Sequence, residues 1–276
     1  MKSRSHKSNI ISVHVKSIAV LVLMSTWLFS PISLLAQTPE EKGLAIAIEA
    51  DKRDIGWGDS QSSMLMVLKN KAGKSSTREV RIRNLEVEGD GDKSISVFDK
   101  PADVKGTSFL SHTHVSIPDD QWLYLPALKR VKRISSANKS GPFMGSEFAY
   151  EDLSSQEIEK YKYKYIEDDQ LEGRATFKIE RIPTYAKSGY TKQIVWIDQE
   201  HYYALKTEFY DRKGTLLKTL IASEYEQYLG KYWRPGKMAM QNHQNGKSTD
   251  LVWKNYQFNN GFTDADFNKA SLKRIR

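Results

Sequence analysis

From residue 63 to residue 258 the chain is a succession of short stretches in which apolar and polar side chains alternate, the period of a strand that turns one face to a core. Residues 63–69 are apolar on both faces, and residues 70–74 supply a hairpin connection to the alternating stretch 77–87. The rhythm returns at 92–98, 107–114, 121–125, 129–134, 161–165, 175–181, 190–197, 202–210, 216–228, 232–241 and 248–258. Allowing for losses, about eleven strands joined by hairpins predict an antiparallel sheet that curls or closes. No β–α alternation accompanies them, which excludes a parallel doubly wound or barrel enzyme.

Two stretches break the rhythm. Residues 40–54 are helix formers with an acidic start and apolar Leu44, Ala47, Ile48 and the following Ile55 near one face, and they predict a single amphipathic helix ending at Gly56. Residues 135–160 begin polar and then gather Phe143, Met144 and Phe148 before a Ser–Glu spacing that suits a helix cap. A connection this long within one domain is usually functional, and its apolar side chains argue against disorder, so it predicts a lid or a cavity wall.

The first 36 residues change the picture of where the chain works. Basic Lys2, Arg4, Lys7 and Lys16 precede the apolar run 18–29, then Pro31 and Ala36, the layout of a cleavable signal peptide; an uncleaved membrane anchor is the competing reading. Residues 37–276 then form a single exported domain. The formal charge of +8 includes those four cations, so the remainder is only mildly basic and nucleic-acid binding is not indicated. The absence of cysteine excludes both a disulfide framework and a lipid-modified N-terminal cysteine.

Candidate chemistry is sparse. His112 and His114 share a strand face near Asp119 and Asp120, but two histidines without a third ligand are weak grounds for a metal site, and none is assigned. His201 and His243 have no partner visible in the sequence, and Asp168–Asp169 sit in an acidic run that reads as solvated. There is no nucleophile elbow, phosphate-cradling glycine loop or His-Glu-x-x-His motif. Lys129, Arg130, Lys132 and Arg133 around Val131 read either as a solvated strand face or as a patch for acidic headgroups or an acidic partner.

Residues 43–47 through Asp54, the run 56–60, the run 120–134 and the run 143–153, in that order before the C-terminal 262–267, resemble the outer-membrane lipoprotein-sorting proteins of the LolA-like periplasmic superfamily. The resemblance implies a half-open antiparallel β-barrel around a helical or loop lid, with a hydrophobic cavity for acyl chains of lipoproteins or lipids. It also implies a periplasmic, monomeric carrier without cofactor or catalytic residue, served by an inner-membrane exporter of the resistance-nodulation-division (RND) type. In that family an arginine on an early strand holds the lid, and Arg78, Arg81 and Arg83 are the candidates here. A carrier needs flexible apolar walls. Met64, Met66 and Leu68 on one strand, Trp122 and Tyr124 on another, and Phe143, Met144 and Phe148 closing over them are the expected cavity residues; set beside this, Met64 and Met66 read more readily as ordinary core, and the Trp–Tyr pair as hairpin packing. A non-catalytic adaptor with a filled core is the alternative, and the two readings differ in whether the interior accepts an apolar ligand.

Overall fold

The computed structural model describes Met1 and residues 37–274; the signal-peptide expectation falls outside the described residues. The chain opens with α1 (Pro39–Asp54), followed by β1 (Asp59–Lys69), β2 (Ser75–Leu85), β3 (Lys93–Lys100), β4 (Ser108–His112), β5 (Asp120–Leu125) and β6 (Arg130–Ile134). Residues 135–160 then form only short 3₁₀ turns. After them come β7 (Tyr161–Leu171), β8 (Arg174–Pro183), β9 (Lys192–Asp198), β10 (Ala204–Tyr210), β11 (Leu216–Tyr228), β12 (Tyr232–Asn242) and β13 (Ser248–Phe258). No helix among the described residues is long and apolar enough to cross a membrane.

All thirteen strands join one antiparallel sheet, two more than the expected count of about eleven, because every alternating stretch finds a partner. The order is β6-β5-β4-β3-β2-β1-β13-β12-β11-β10-β9-β8-β7, so the sheet is open, with β6 and β7 as its edges. It is also strongly curled. β5 and β11 lie seven strand spacings apart, about 33 Å on a flat sheet. Yet Gln121 Nε2 on β5 donates to the Tyr150 carbonyl at 3.1 Å, while Lys218 Nζ on β11 donates to Asp152 Oδ2 at 2.6 Å. Tyr150 and Asp152 are within about 7 Å of each other along the backbone. Only a trough brings both strands to them.

The trough has two apolar clusters on its inner face and one on its outer. Inside, Met64, Met66, Val80, Phe98, Phe109, Leu123, Met240 and Leu251 form one cluster, with Phe143 and Phe148 of the 135–160 segment among them. Farther along, Ile46 and Ala47 of α1 pack on Tyr163, Ile179, Val195 and Ile197. On the outside, Phe267 and Leu272 from the C-terminal segment cover Ile95, Val97, Leu110 and Trp122.

The start of α1 follows its sequence. Thr38 Oγ1 accepts from the Glu41 amide at 3.2 Å and the Thr38 amide donates to the Glu41 carboxylate at 2.8 Å, a reciprocal cap; Pro39 supplies the first-turn φ. Its buried face differs from the one expected. Ala47 is buried as expected, but Leu44, Ile48 and Ile55 are exposed, at 40%, 47% and 54%, and Gly43 and Ile46 join Ala47 against the sheet instead. Glycine decides this, because a Cβ at residue 43 would sit 2.6 Å from the Tyr165 amide nitrogen on β7, so only this face lets the two backbones meet. Gly43→Val is therefore expected to destabilise the fold by about 2 kcal/mol through overpacking, read as a lowered midpoint in chemical denaturation. Wild-type stability in this variant would show that the contact does not constrain the helix.

Candidate functional site

Strand alternation places one apolar side chain after another on the inner face of the trough, and the segment from 135 to 160 lies across them. Within it, residues 143–148 close on themselves. The Phe143 amide donates to the Phe148 carbonyl at 2.7 Å, the Ser146 amide to the Phe143 carbonyl at 2.9 Å, and Pro142 and Ala149 form a bridge. Met144 and Gly145 take left-handed backbone conformations at φ +51° and +77°, which turns the loop tightly enough to aim both phenylalanines inward. Phe143, 2% exposed, meets Phe109 at 5.2 Å and Phe98 at 5.9 Å between ring centroids, and Tyr150 stands edge-on to it at 5.4 Å.

Polar contacts hold this apolar plug at several points. Lys218 and Asp152 form an ion pair at 2.6 Å with side chains 4% and 5% exposed; Lys218 also donates to the Glu147 carbonyl at 2.9 Å, and Asp152 accepts from Tyr190 Oη at 2.8 Å and from the Ala149 amide at 2.6 Å. Lys218 thus donates two hydrogen bonds and Asp152 accepts three, and such additional partners are the condition under which a buried ion pair is tolerated. At the other side of the trough Asp119 accepts from Lys139 at 2.9 Å, from Ser154 at 3.1 Å and from Lys160. Burial pushes the Asp119 carboxyl up, but the lysine hydrogen bonds outweigh it and hold it below its ordinary 3.8. Glu151, by contrast, is pushed above its ordinary value by burial, although it accepts from the Gly189 amide and from Ser188 and Tyr185 hydroxyls.

The predicted site residues divide accordingly. Met64, Met66, Phe143 and Phe148 lie in one cluster, with Leu68 and Met144 packed against it. Trp122 and Tyr124 do not join them. Both point to the outer face of β5, where Trp122 is buried beside Phe267 and Leu272, so the expectation that Phe143, Met144 and Phe148 close over them is corrected. Alternation assigns these two to a common face, as expected, but the C-terminal segment covers that face too. Of the arginines, Arg78 Nη1 donates to the Met144 carbonyl at 2.5 Å; Arg81 pairs with Asp99 at 2.7 and 2.9 Å, and Arg83 lies 5.0 Å from the Phe262 ring, away from the segment. His112 donates to the Phe267 carbonyl at 2.7 Å and His114 contacts Asp90 at 2.7 Å, so the two histidines engage different partners.

On the apolar face where the hydrophobic cavity is expected, Phe143 and Phe148 pack against the strands. Open clefts include one of about 650 Å³ lined by residues 173–175 and 198–201, and one of about 260 Å³ that borders Leu68 and Gly145. Sequence reading missed Lys218, Asp152 and Gln121, and placed Asp119 beside the histidines rather than against Lys139, Ser154 and Lys160. One signal was present: Lys218 is in phase with Leu220 and Ala222 on the inward side of its strand, a charge where the pattern calls for an apolar residue.

A solved structure described as an outer membrane lipoprotein-sorting protein domain from Vibrio parahaemolyticus is 62% identical, covering 85% of this chain and all of that one, at a TM-score of 0.84. The chain belongs to the outer-membrane lipoprotein-sorting family. A DUF1329 family protein from Desulfovibrio piger is 30% identical over 85% of this chain and 99% of its own, at a TM-score of 0.81. A LolA superfamily protein from Nitrosomonas europaea, 19% identical over 83% of this chain and 98% of its own, shares the fold at a TM-score of 0.66. A family model described as that of an uncharacterized protein matches residues 90–274, and no curated protein matches the chain.

Within this family member the Asp119 contacts set a pH dependence. A carboxyl held below its ordinary 3.8 in the folded state contributes stability that is fully present above 3.8 and is lost as pH falls from there through the lower folded-state value. Asp119→Asn is expected to cost about 2 kcal/mol at neutral pH. The gap between variant and wild type should close in thermal melts below pH 3.8. A gap unchanged with pH would show that the carboxylate charge does not contribute.

Proposed function

We propose that the protein is a non-catalytic periplasmic carrier that receives the acyl chains of lipoproteins or lipids on the inner face of the trough, with residues 135–160 as a displaceable lid, and passes them towards the outer membrane. The observation that carries this reading is the plug itself: Phe143, Met144 and Phe148 cover an apolar face from a segment that belongs to no strand of the sheet. Cargo can replace them without breaking a sheet ladder. Two buried phenylalanines stabilise the closed form by about 5 kcal/mol, whereas a long acyl chain at ~0.8 kcal/mol per methylene offers on the order of 10 kcal/mol, enough to displace them.

Family membership supports the direction of transfer, and an inner-membrane exporter of the RND type is the donor we infer from the resemblance in sequence. Arg78 is the lid latch in this reading, since of the three candidate arginines it is the one that reaches the segment. The protein acts as a monomer, with residues 1–36 as its export signal and residues 37–276 as the single carrier domain.

Native mass spectrometry of the protein purified from a bacterial periplasm without detergent tests the reading directly. A co-purified lipid or acylated species is the expected result. A protein that is empty and also fails to take up a fluorescent fatty acid would overturn it in favour of an adaptor with a permanently filled core. Arg78→Ala removes a charge-assisted hydrogen bond from the closed form, so probe uptake by the empty protein should rise about tenfold or more; uptake equal to wild type would remove Arg78 from the latch.

A further inference from the structure

The smaller cleft, of about 260 Å³, has a composition that the plug does not explain. It forms where the β1–β2 and β12–β13 hairpins meet the tip of the plug at Gly145 and Glu147. Its floor includes Leu68, which packs against the inner apolar cluster, so the cleft adjoins the face on which acyl chains would lie. Its rim carries Lys69, Lys74 and Lys247, and the Lys71 methylenes lie over Gly246 beside it. Ser76 and Thr249, the cross-strand partners of Leu68, add hydroxyls on its face.

The charges do not cancel within the rim. Lys69 is paired with Asp250 at 3.0 Å, but Lys74 and Lys247 have no ion pair among the described residues. The one carboxylate on the rim, Glu147, is turned to Asn242 and Asn245, whose amides donate to it at 2.7 and 3.2 Å. Unpaired cations on a hairpin usually read as solvated surface. Here they come from two hairpins distant in sequence, converge on one concavity, and stand beside hydroxyl donors over an apolar floor. An anionic group with an apolar tail meets all three features at once, which an acidic peptide in water does not.

We propose that this cleft binds the phosphate-bearing, anionic headgroup of a lipid whose acyl chains enter the adjoining apolar face. The inference rests on the carrier reading and names its cargo class. Lys74 and Lys247 supply the charge and the Ser76 and Thr249 hydroxyls orient the phosphate oxygens, so selection among lipids is made at the mouth, where acyl chains themselves carry no distinguishing group.

Titration of the periplasm-purified protein with short-chain phosphatidylglycerol and with phosphatidylcholine of the same chain length tests this, following intrinsic tryptophan fluorescence. At low salt the wild type is expected to bind the anionic lipid about tenfold more tightly, a preference that shrinks as salt is raised. Lys74→Gln with Lys247→Gln should remove the preference by weakening phosphatidylglycerol binding more than phosphatidylcholine binding, whereas Lys129→Gln with Lys132→Gln at the β6 edge, an equal change of net charge, should keep it. Equal binding of both lipids by the wild type, or a preference that survives in the Lys74/Lys247 variant, would overturn the headgroup site while leaving the carrier intact. Binding of neither lipid would overturn the carrier reading and the headgroup site with it. Inorganic phosphate binding as tightly as the anionic lipid would reassign the cleft to a free anion.

Discussion

The strand order sends β6 and β7 to opposite edges of a thirteen-stranded sheet, yet they are consecutive in the chain and residues 135–160 must join them. A connection between two edges cannot run within the sheet, so it passes over a face, and the inner face is where the path is short once the sheet curls. Everything of interest about the site follows from that route. The segment lies on an apolar surface because the strands beneath it alternate, and it carries aromatic side chains because the surface it crosses would otherwise be wet. A bundle of hairpins closed into a complete barrel would have no such segment and no face that a displaced loop could uncover.

Apolar contact alone would fix the segment in position no more specifically than oil fixes oil. Direction comes from Lys218–Asp152, Asp119 with its two lysines, Gln121 and Arg78, each meeting a different residue of the segment. Buried polar groups are costly without partners, so these contacts are satisfied in one arrangement and unsatisfied in slightly shifted ones. When the segment moves away its carboxylates and carbonyls regain water, and so do the lysines they leave. The polar anchors thus give the closed form a defined geometry and a bias of about 1 kcal/mol each against opening, and in the proposed carrier the larger apolar balance between phenylalanine and acyl chain decides occupancy.

Much of this was legible along the chain. The alternating stretches correspond to strands one for one, the helix spans Pro39–Asp54 where helix formers and an acidic start mark it, and Phe143, Met144 and Phe148 stand out as apolar residues in a long connection. The face of α1 was misread because Leu44, Ile48 and Ile55 look like a buried stripe, whereas the contact is set by the missing Cβ of Gly43 against the Tyr165 backbone. Trp122 and Tyr124 share a face as alternation requires, but alternation does not say whether that face is inner or outer when both are covered.

The sequence by itself determined the local structure, since strand period, helix cap and hairpin turns depend on residues within a few positions of one another. It also determined the absence of thiol chemistry, since no cysteine exists in the chain. Only the tertiary structure decided which residues meet across the trough. Asp152 and Lys218 are 66 positions apart and Arg78 and Met144 likewise 66, and neither pair is marked by spacing or motif. Their proximity depends on how far the sheet curls, which is the summed twist and bulging of thirteen strands, a global quantity that no single stretch of the chain encodes.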